Sequence, residues 1–197
     1  MKRVTIIFAT NNHYKVDEIR SRVRNHFNIL TLKEAGIDID IPEPHDTLEE
    51  NASEKSRTIY RLSNQNCFSE DTGLFAEALN GEPGVKSARY AGDVKNFQAN
   101  IDKLLRNLKE KENRRAKFRT VISLIWKSKE YFFDGISNGK IIDEPRGTQG
   151  FGYDPVFVPD GSKKTFGEMS LSEKNKYSHR RKAVDKLVDF LKVNFKH

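Results

Sequence analysis

The chain has 197 residues, is 36% hydrophobic, and carries 35 Lys and Arg against 28 Asp and Glu, for a net charge of +7. This length predicts one domain, or one domain with a small lobe. A mean hydropathy of -0.72, with no run near the roughly 18 apolar residues a membrane helix needs, predicts a polar soluble chain without membrane association. One cysteine, Cys67, excludes an internal disulfide and a thiolate metal cluster. The basic balance predicts polyanionic partners, a nucleic acid or a nucleotide, though a well-solvated basic surface would have the same composition.

VTIIFA (4–9) is a continuous apolar run, as in a buried central strand. The opening MKRVTIIFATNN lacks a long hydrophobic region and a cleavage site, so it is read as a first strand rather than a signal peptide, and a cytoplasmic location is expected. After the TNN turn, Val16, Ile19, Val23 and Phe27 recur at helical spacing. NILTL (28–32) predicts a short strand, and IDIDIPEPHD ends in prolines that stop regular structure. From Thr47 a helix is expected, with Thr47 and Glu50 forming a capping box and Leu48, Ala52, Ile59 and Leu62 facing the core. Cys67-Phe68 predicts a strand end that runs into a loop at Glu70-Asp71. GEPG (81–84) reads as a turn. Ile101, Leu104, Leu105 and Leu108 mark a helix starting near Asn96. AKFRTVISLIW (116–126) predicts a strand, and KEYFFDGISNGKIID (129–143) one or two more, with a turn or bulge at SNG and antiparallel pairing. EPRGTQGFGYDP (144–155) is a glycine-rich loop and VFVP a short strand. A last helix is expected over Lys182–Phe195. KEKENRRAK (109–117) is the best candidate for a connection between lobes.

Five constellations can carry chemistry. Thr10, Asn11 and Asn12 follow a strand, where backbone N–H groups and a helix N-terminus receive phosphate, and Lys15 can reach back over them. An Asn-rich cap with a solvated lysine would look the same. Glu70 and Asp71 are hard oxygen donors of the kind Mg²⁺ takes, one or two carboxylates together with substrate phosphates. Asp71 is a candidate base for a water, while an Asx turn is the plain alternative. Glu43, held between prolines, is a third candidate acid. In GFGYDP, Gly152 allows close backbone approach, Phe151 and Tyr153 can stack on a purine, and Asp154 can bond a base or pin the loop. In EKNKYSHRRKA (173–183), Lys174, His179 and Arg180 gather at a helix start, where positive side chains oppose the dipole unless an anion or electron-rich group is present. Lys55 adds a further cation for a polyphosphate.

Taken together, ATNNHYKVDE (9–18), ENASEKS (50–56), EDTGL (70–74), GEPGVKSARYAG (81–92), PRGTQGFGYDPVF (145–157) and EKNKYSHRRKA resemble, in this order, the inosine/xanthosine triphosphate pyrophosphatase family. The likeness spans almost the whole chain. Asn11 stands where the family has glycine and Ser56 where it has alanine. The resemblance implies an α/β fold with a mixed, elongated, twisted sheet flanked by helices, two lobes and a central active-site cleft, in a single domain over 1–197. It implies Mg²⁺-dependent hydrolysis of ITP, dITP and XTP to the monophosphate and pyrophosphate by a homodimer with no stable nucleic-acid partner. By it, Asp71 activates water or metal and Glu43 and Glu70 assist the metal. Lys15, Asn12 and Lys174 handle the phosphates, Thr10, Asn11, Asn51, Lys55 and Thr72 lie close by, and Phe151, Gly152, Tyr153, Asp154, His179 and Arg180 grip the purine. A dTTP or UTP pyrophosphatase on a related fold, or a non-enzymatic nucleic-acid binder, are the alternatives.

Overall fold

The computed structural model describes residues 4–23, 27–94 and 96–194. In chain order the elements are β1 (Val4–Phe8), α1 (His13–Val23), β2 (Phe27–Thr31), α2 (Leu48–Ser63), β3 (Cys67–Ala76), β4 (Pro83–Gly84), α3 (Phe97–Leu108), β5 (Arg115–Trp126), β6 (Lys129–Ile141), β7 (Phe157–Pro159), α4 (Leu171–Lys174) and α5 (His179–Asn194). Short 3₁₀ turns cover Glu77–Leu79, Ser87–Arg89, Asp154–Val156 and Phe166–Glu168. Among the described residues the strands form a seven-stranded sheet in the order β2-β1-β3-β5-β6-β7, with β4 paired to β3. β1 runs parallel to β2 and β3, whereas β4 is antiparallel to β3 and β7 to β6. The sheet is therefore mixed and the class α/β, as expected.

The chain divides into two compact units. The first takes the chain up to Asp71, Thr120–Gly135 and everything from Arg180 onward; the second takes Thr72–Arg119 and Ile136–His179. In the first unit β1 is apolar and buried from Ile6 to Phe8, where both its faces are covered. Ile6 and Phe8 pack with Val16 and Ile19 of α1, Ile122 and Leu124 of β5, and Leu187 and Val188 of α5. Ile7 and Ala9 look the other way, toward Ile59 and Cys67. α2 starts at an N-cap, Thr47, whose Oγ1 accepts from the Glu50 N–H at 3.2 Å and donates to the Glu50 carboxylate at 2.7 Å. It ends where Asn64 turns left-handed, with φ 52, a conformation Asn tolerates better than most residues. The second unit is built on Leu74, Ile101, Leu104, Leu108, Phe118, Val156, Phe157 and Phe166.

Several sequence expectations shift. Phe27 opens β2 rather than continuing α1. Leu62 is 60% exposed, so it does not face the core. β3 does not give way to a loop at Glu70 but runs on through Asp71 to Ala76. Glycine at 73 is compatible with that strand because β4 comes so close: a Cβ there would lie 2.6 Å from the Gly84 carbonyl oxygen. β6 is continuous across Ser137, Asn138 and Gly139, and the turn falls at Lys127-Ser128, both at positive φ, between β5 and β6. KEKENRRAK joins no units; it ends α3 and begins β5 inside the second unit. α5 opens at His179 and Arg180, as expected of that stretch, three residues ahead of the apolar signals from Lys182, and Phe195 lies outside the described residues.

Candidate active site

The opening turn of the first unit is capped by its own side chains. Thr10 Oγ1 accepts from the Asn12 N–H at 3.2 Å, and Asn12 Oδ1 from the Lys15 N–H at 3.4 Å. Asn11 is exposed. Lys15, in the first turn of α1, places Nζ 2.7 Å from Glu70 Oε1. Glu70 is fully buried on β3 and meets a second cation, Arg180 at the start of α5, whose Nε lies 2.7 Å from Oε2 and whose Nη2 lies 3.3 Å from Oε1. Arg180 also pairs through Nη1 with Glu18, one turn along α1 from Lys15. Two carboxylates and two cations thus form one chain, Lys15–Glu70–Arg180–Glu18, with no net formal charge. Burial penalises the Glu70 carboxylate, but Arg180 and Lys15 outweigh it and hold its pKa well below the usual carboxylate range. Burial likewise penalises the Arg180 guanidinium, and Glu70 and Glu18 outweigh it and raise its pKa.

Asp71 belongs to a different cluster because successive residues of a strand point to opposite faces. Glu70 turns to α1 and α5, Asp71 to α2. There Asn51 and Lys55, one helical turn apart on the same face, are both buried. Asn51 Nδ2 donates to Asp71 Oδ2 at 3.3 Å and to the His45 carbonyl at 3.0 Å, while its Oδ1 accepts from the His45 N–H at 3.0 Å. A single amide therefore ties the proline-bounded loop that carries Glu43 to Asp71. Lys55 Nζ lies 2.5 Å from Glu43 Oε1, 2.9 Å from the Glu70 carbonyl oxygen and 3.7 Å from Asp71 Oδ1. Burial opposes the Lys55 charge, and Asp71 and Glu43 outweigh it, so its pKa is raised.

The second unit holds the other candidates. Gly150 sits at φ +75, and a Cβ on it would meet Asp154 Oδ2 at 2.0 Å, so only glycine fits. Asp154 Oδ2 accepts from the Phe151 N–H at 2.9 Å and from Lys174 Nζ at 2.7 Å. Lys174 and Asp154 are each 4% exposed, and the ammonium lies 5.3 Å from the Phe151 ring centre. Lys174 is delivered by α4, whose start is fixed by a capping box between Ser170 and Glu173. Phe151 and Gly152 are half-buried. Tyr153 is buried in the core and donates its hydroxyl proton to the Ser87 carbonyl at 2.8 Å. His179 is buried and stacks on Phe118, ring centres 4.6 Å apart. Thr72, half-buried on β3, also falls in this unit.

The structure thus brings Lys15, Glu70 and Arg180 together, and separately Glu43, Asn51, Lys55 and Asp71. Phe151, Asp154 and Lys174 form a third group. Arg180 falls in the first unit and its sequence neighbour His179 in the second. Glu18 was missed, although its spacing of three from Lys15 on one helix was a usable signal.

A mixed-sheet α/β chain with these clusters is a member of the Ham1 family, whose model matches residues 6–190. Among curated relatives, the dITP/XTP pyrophosphatase of Porphyromonas gingivalis is 48% identical over 187 residues, 94% of this chain and 96% of the relative. That of Christiangramia forsetii is 47% identical over 186 residues, 94% of this chain and 98% of the relative. The Staphylococcus aureus Ham1 protein superposes with a TM-score of 0.87 at 38% identity, covering 96% of this chain and 99% of its own. A HAM1 protein from Coxiella burnetii gives 0.88 at 33% identity, with the same coverage of both chains.

Proposed function

We propose that this chain hydrolyses non-standard purine nucleoside triphosphates, ITP, dITP and XTP, to the nucleoside monophosphate and pyrophosphate. The observation that carries the reading is the buried pairing of Asp71 with Asn51 and Lys55, beside a charge-balanced Lys15–Glu70–Arg180–Glu18 chain. Relatives at 47–48% identity that bear the name dITP/XTP pyrophosphatase support it.

A water attacks the α-phosphorus, its proton passes to Asp71, and the bond from that phosphorus to the bridging oxygen breaks. Pyrophosphate departs with the bond's electrons. Fixed donors and cations aimed at the developing charge lower the barrier without reorganising. Lys15 is suited to this task because Glu70 anchors its ammonium while its side chain keeps 16% exposure. Glu70 bonds Lys15 and Arg180 with its two oxygens and so orients Lys15, while its remaining lone pairs leave it able to assist the metal.

The donor set also fits Mg²⁺. Glu43 and Asp71 converge on one cation, the Lys55 ammonium, and two carboxylates plus substrate phosphates are this ion's usual company. Among the described residues no group of three acidic, His or Cys side chains stands ready to hold a metal alone, so phosphate oxygens would complete the shell around Glu43 and Asp71. When bound, the ion neutralises phosphate charge and acidifies water.

Incubation with ITP and Mg²⁺, followed by product analysis, tests the reading. IMP and pyrophosphate are expected; IDP and phosphate would mean cleavage at a different bond. Chelation should abolish turnover, and added Mg²⁺ should restore it.

A further inference from the structure

α3 carries an apolar stripe at positions 97, 101, 104 and 108, the i, i+4, i+7 and i+11 positions of one helix face. Ile101, Leu104 and Leu108 are 3%, 0% and 1% exposed, as a core-facing stripe should be. Phe97, its first member, is 40% exposed. The helix start is not frayed there, since Asn96 caps it by accepting from the Ala99 N–H at 3.0 Å. The stripe is thus buried at three of its four positions and open at Phe97. Its aromatic neighbour is Phe151, at 6.2 Å between ring centres and 46° between planes. Phe151 is held by Asp154, whose Oδ2 takes the Phe151 N–H and the Lys174 ammonium together.

The result is a corner of two partly open rings, one of them held in place through a buried ion pair, all within the second unit. Two π faces meeting at an angle, with a cation close to one of them, suit a flat electron-rich heterocycle better than an aliphatic chain or a sugar. We propose that Phe97 is a second base-contacting ring, beside Phe151, against which the purine of the substrate packs. The inference rests on the functional reading above and assigns to Phe97 a base-binding role within it.

Steady-state kinetics with ITP on Phe97→Ala and Phe97→Tyr test it, with calorimetric binding of IMP as a readout independent of turnover. Phe97→Ala should raise KM and weaken IMP binding about two- to tenfold, the range of one aromatic contact, with kcat within about twofold if the contact is equal in ground and transition states. Phe97→Tyr, which keeps the ring, should stay near the wild type. Inhibition by inorganic tripolyphosphate, a probe with no base, should be unaltered by either substitution. Unchanged KM and IMP binding in Phe97→Ala overturn the inference alone, as does an equal loss of tripolyphosphate inhibition. A wild-type chain that leaves ITP intact overturns the functional reading, and this inference with it.

Discussion

The two units solve the burial of charge differently. In the first, four ionised side chains from α1, β3 and α5 neutralise one another, and Lys55 gathers Glu43 and Asp71 a strand face away. In the second, the buried ion pair Lys174–Asp154 lies among aromatic rings and glycine-rich backbone. A buried network is stable only while every member keeps its partner. A pair that supports an aromatic loop has less to lose outside that loop.

The comparison breaks most readily at Glu70. Glu70→Ala leaves Arg180 buried beside one remaining carboxylate, and the loss should be about 3–5 kcal/mol. Urea unfolding measures it, and a double-mutant cycle with Arg180→Met should recover part of the loss; additive single effects would mean that the two side chains are not coupled. Asp71→Asn tests chemistry rather than stability. It keeps the shape and one hydrogen bond to Asn51, so kcat on ITP should fall about 10²–10⁴-fold, while the unfolding midpoint should drop less than in Glu70→Ala because Glu43 still pairs with Lys55. Full activity would remove Asp71 from the role proposed for it. In the second unit Tyr153→Phe deletes only the bond to the Ser87 carbonyl, and the expected destabilisation is about 1 kcal/mol. A larger loss of activity than of stability would mean that the hydroxyl serves the substrate.

The smallest effect is expected at Cys67, between α2 and the sheet core of the first unit. Burial pushes its thiol pKa up to about 12, so at pH 8 it stays protonated and a disulfide reagent should not label the folded chain. A group whose folded pKa is raised supports the fold fully below its unfolded value, about 8.5, and loses that support as pH rises toward 12. Stability from this group should therefore decline between pH 9 and 12, and Cys67→Ser should flatten that part of the profile. Rapid labelling at pH 8 would contradict the burial.

Much of the site was legible because its residues occur in short runs with a local reason for being there. The turn at 10–12 caps the helix that carries Lys15, and Asn51 and Lys55 share a helix face by their spacing of four. Phe27 and Leu62 were misread because helical periodicity is a statement about one face, and neither the end of a helix nor the extent of its cover is written in the period. A loop is expected at Glu70-Asp71; the strand runs on instead, and its Gly73 answers to the approach of Gly84, which no local pattern announces. The family resemblance places Arg180 at the purine; what no local pattern announces is that its charge is met by Glu70 and Glu18, 110 and 162 positions away. The charge that looked unfavourable at the start of α5 is offset by those two acids.

The amino-acid order alone determined the α/β class, the Thr47 cap, the glycine positions of the 144–155 loop and the set of chemically able residues. These depend on interactions within a few residues, where propensity and spacing are strong signals. Only the tertiary structure decided which carboxylate meets which cation, that Glu70 and Asp71 serve opposite faces of one strand, and that Phe97 stays open beside Phe151. Those outcomes depend on contacts between segments far apart in sequence, and on how much water each contact excludes.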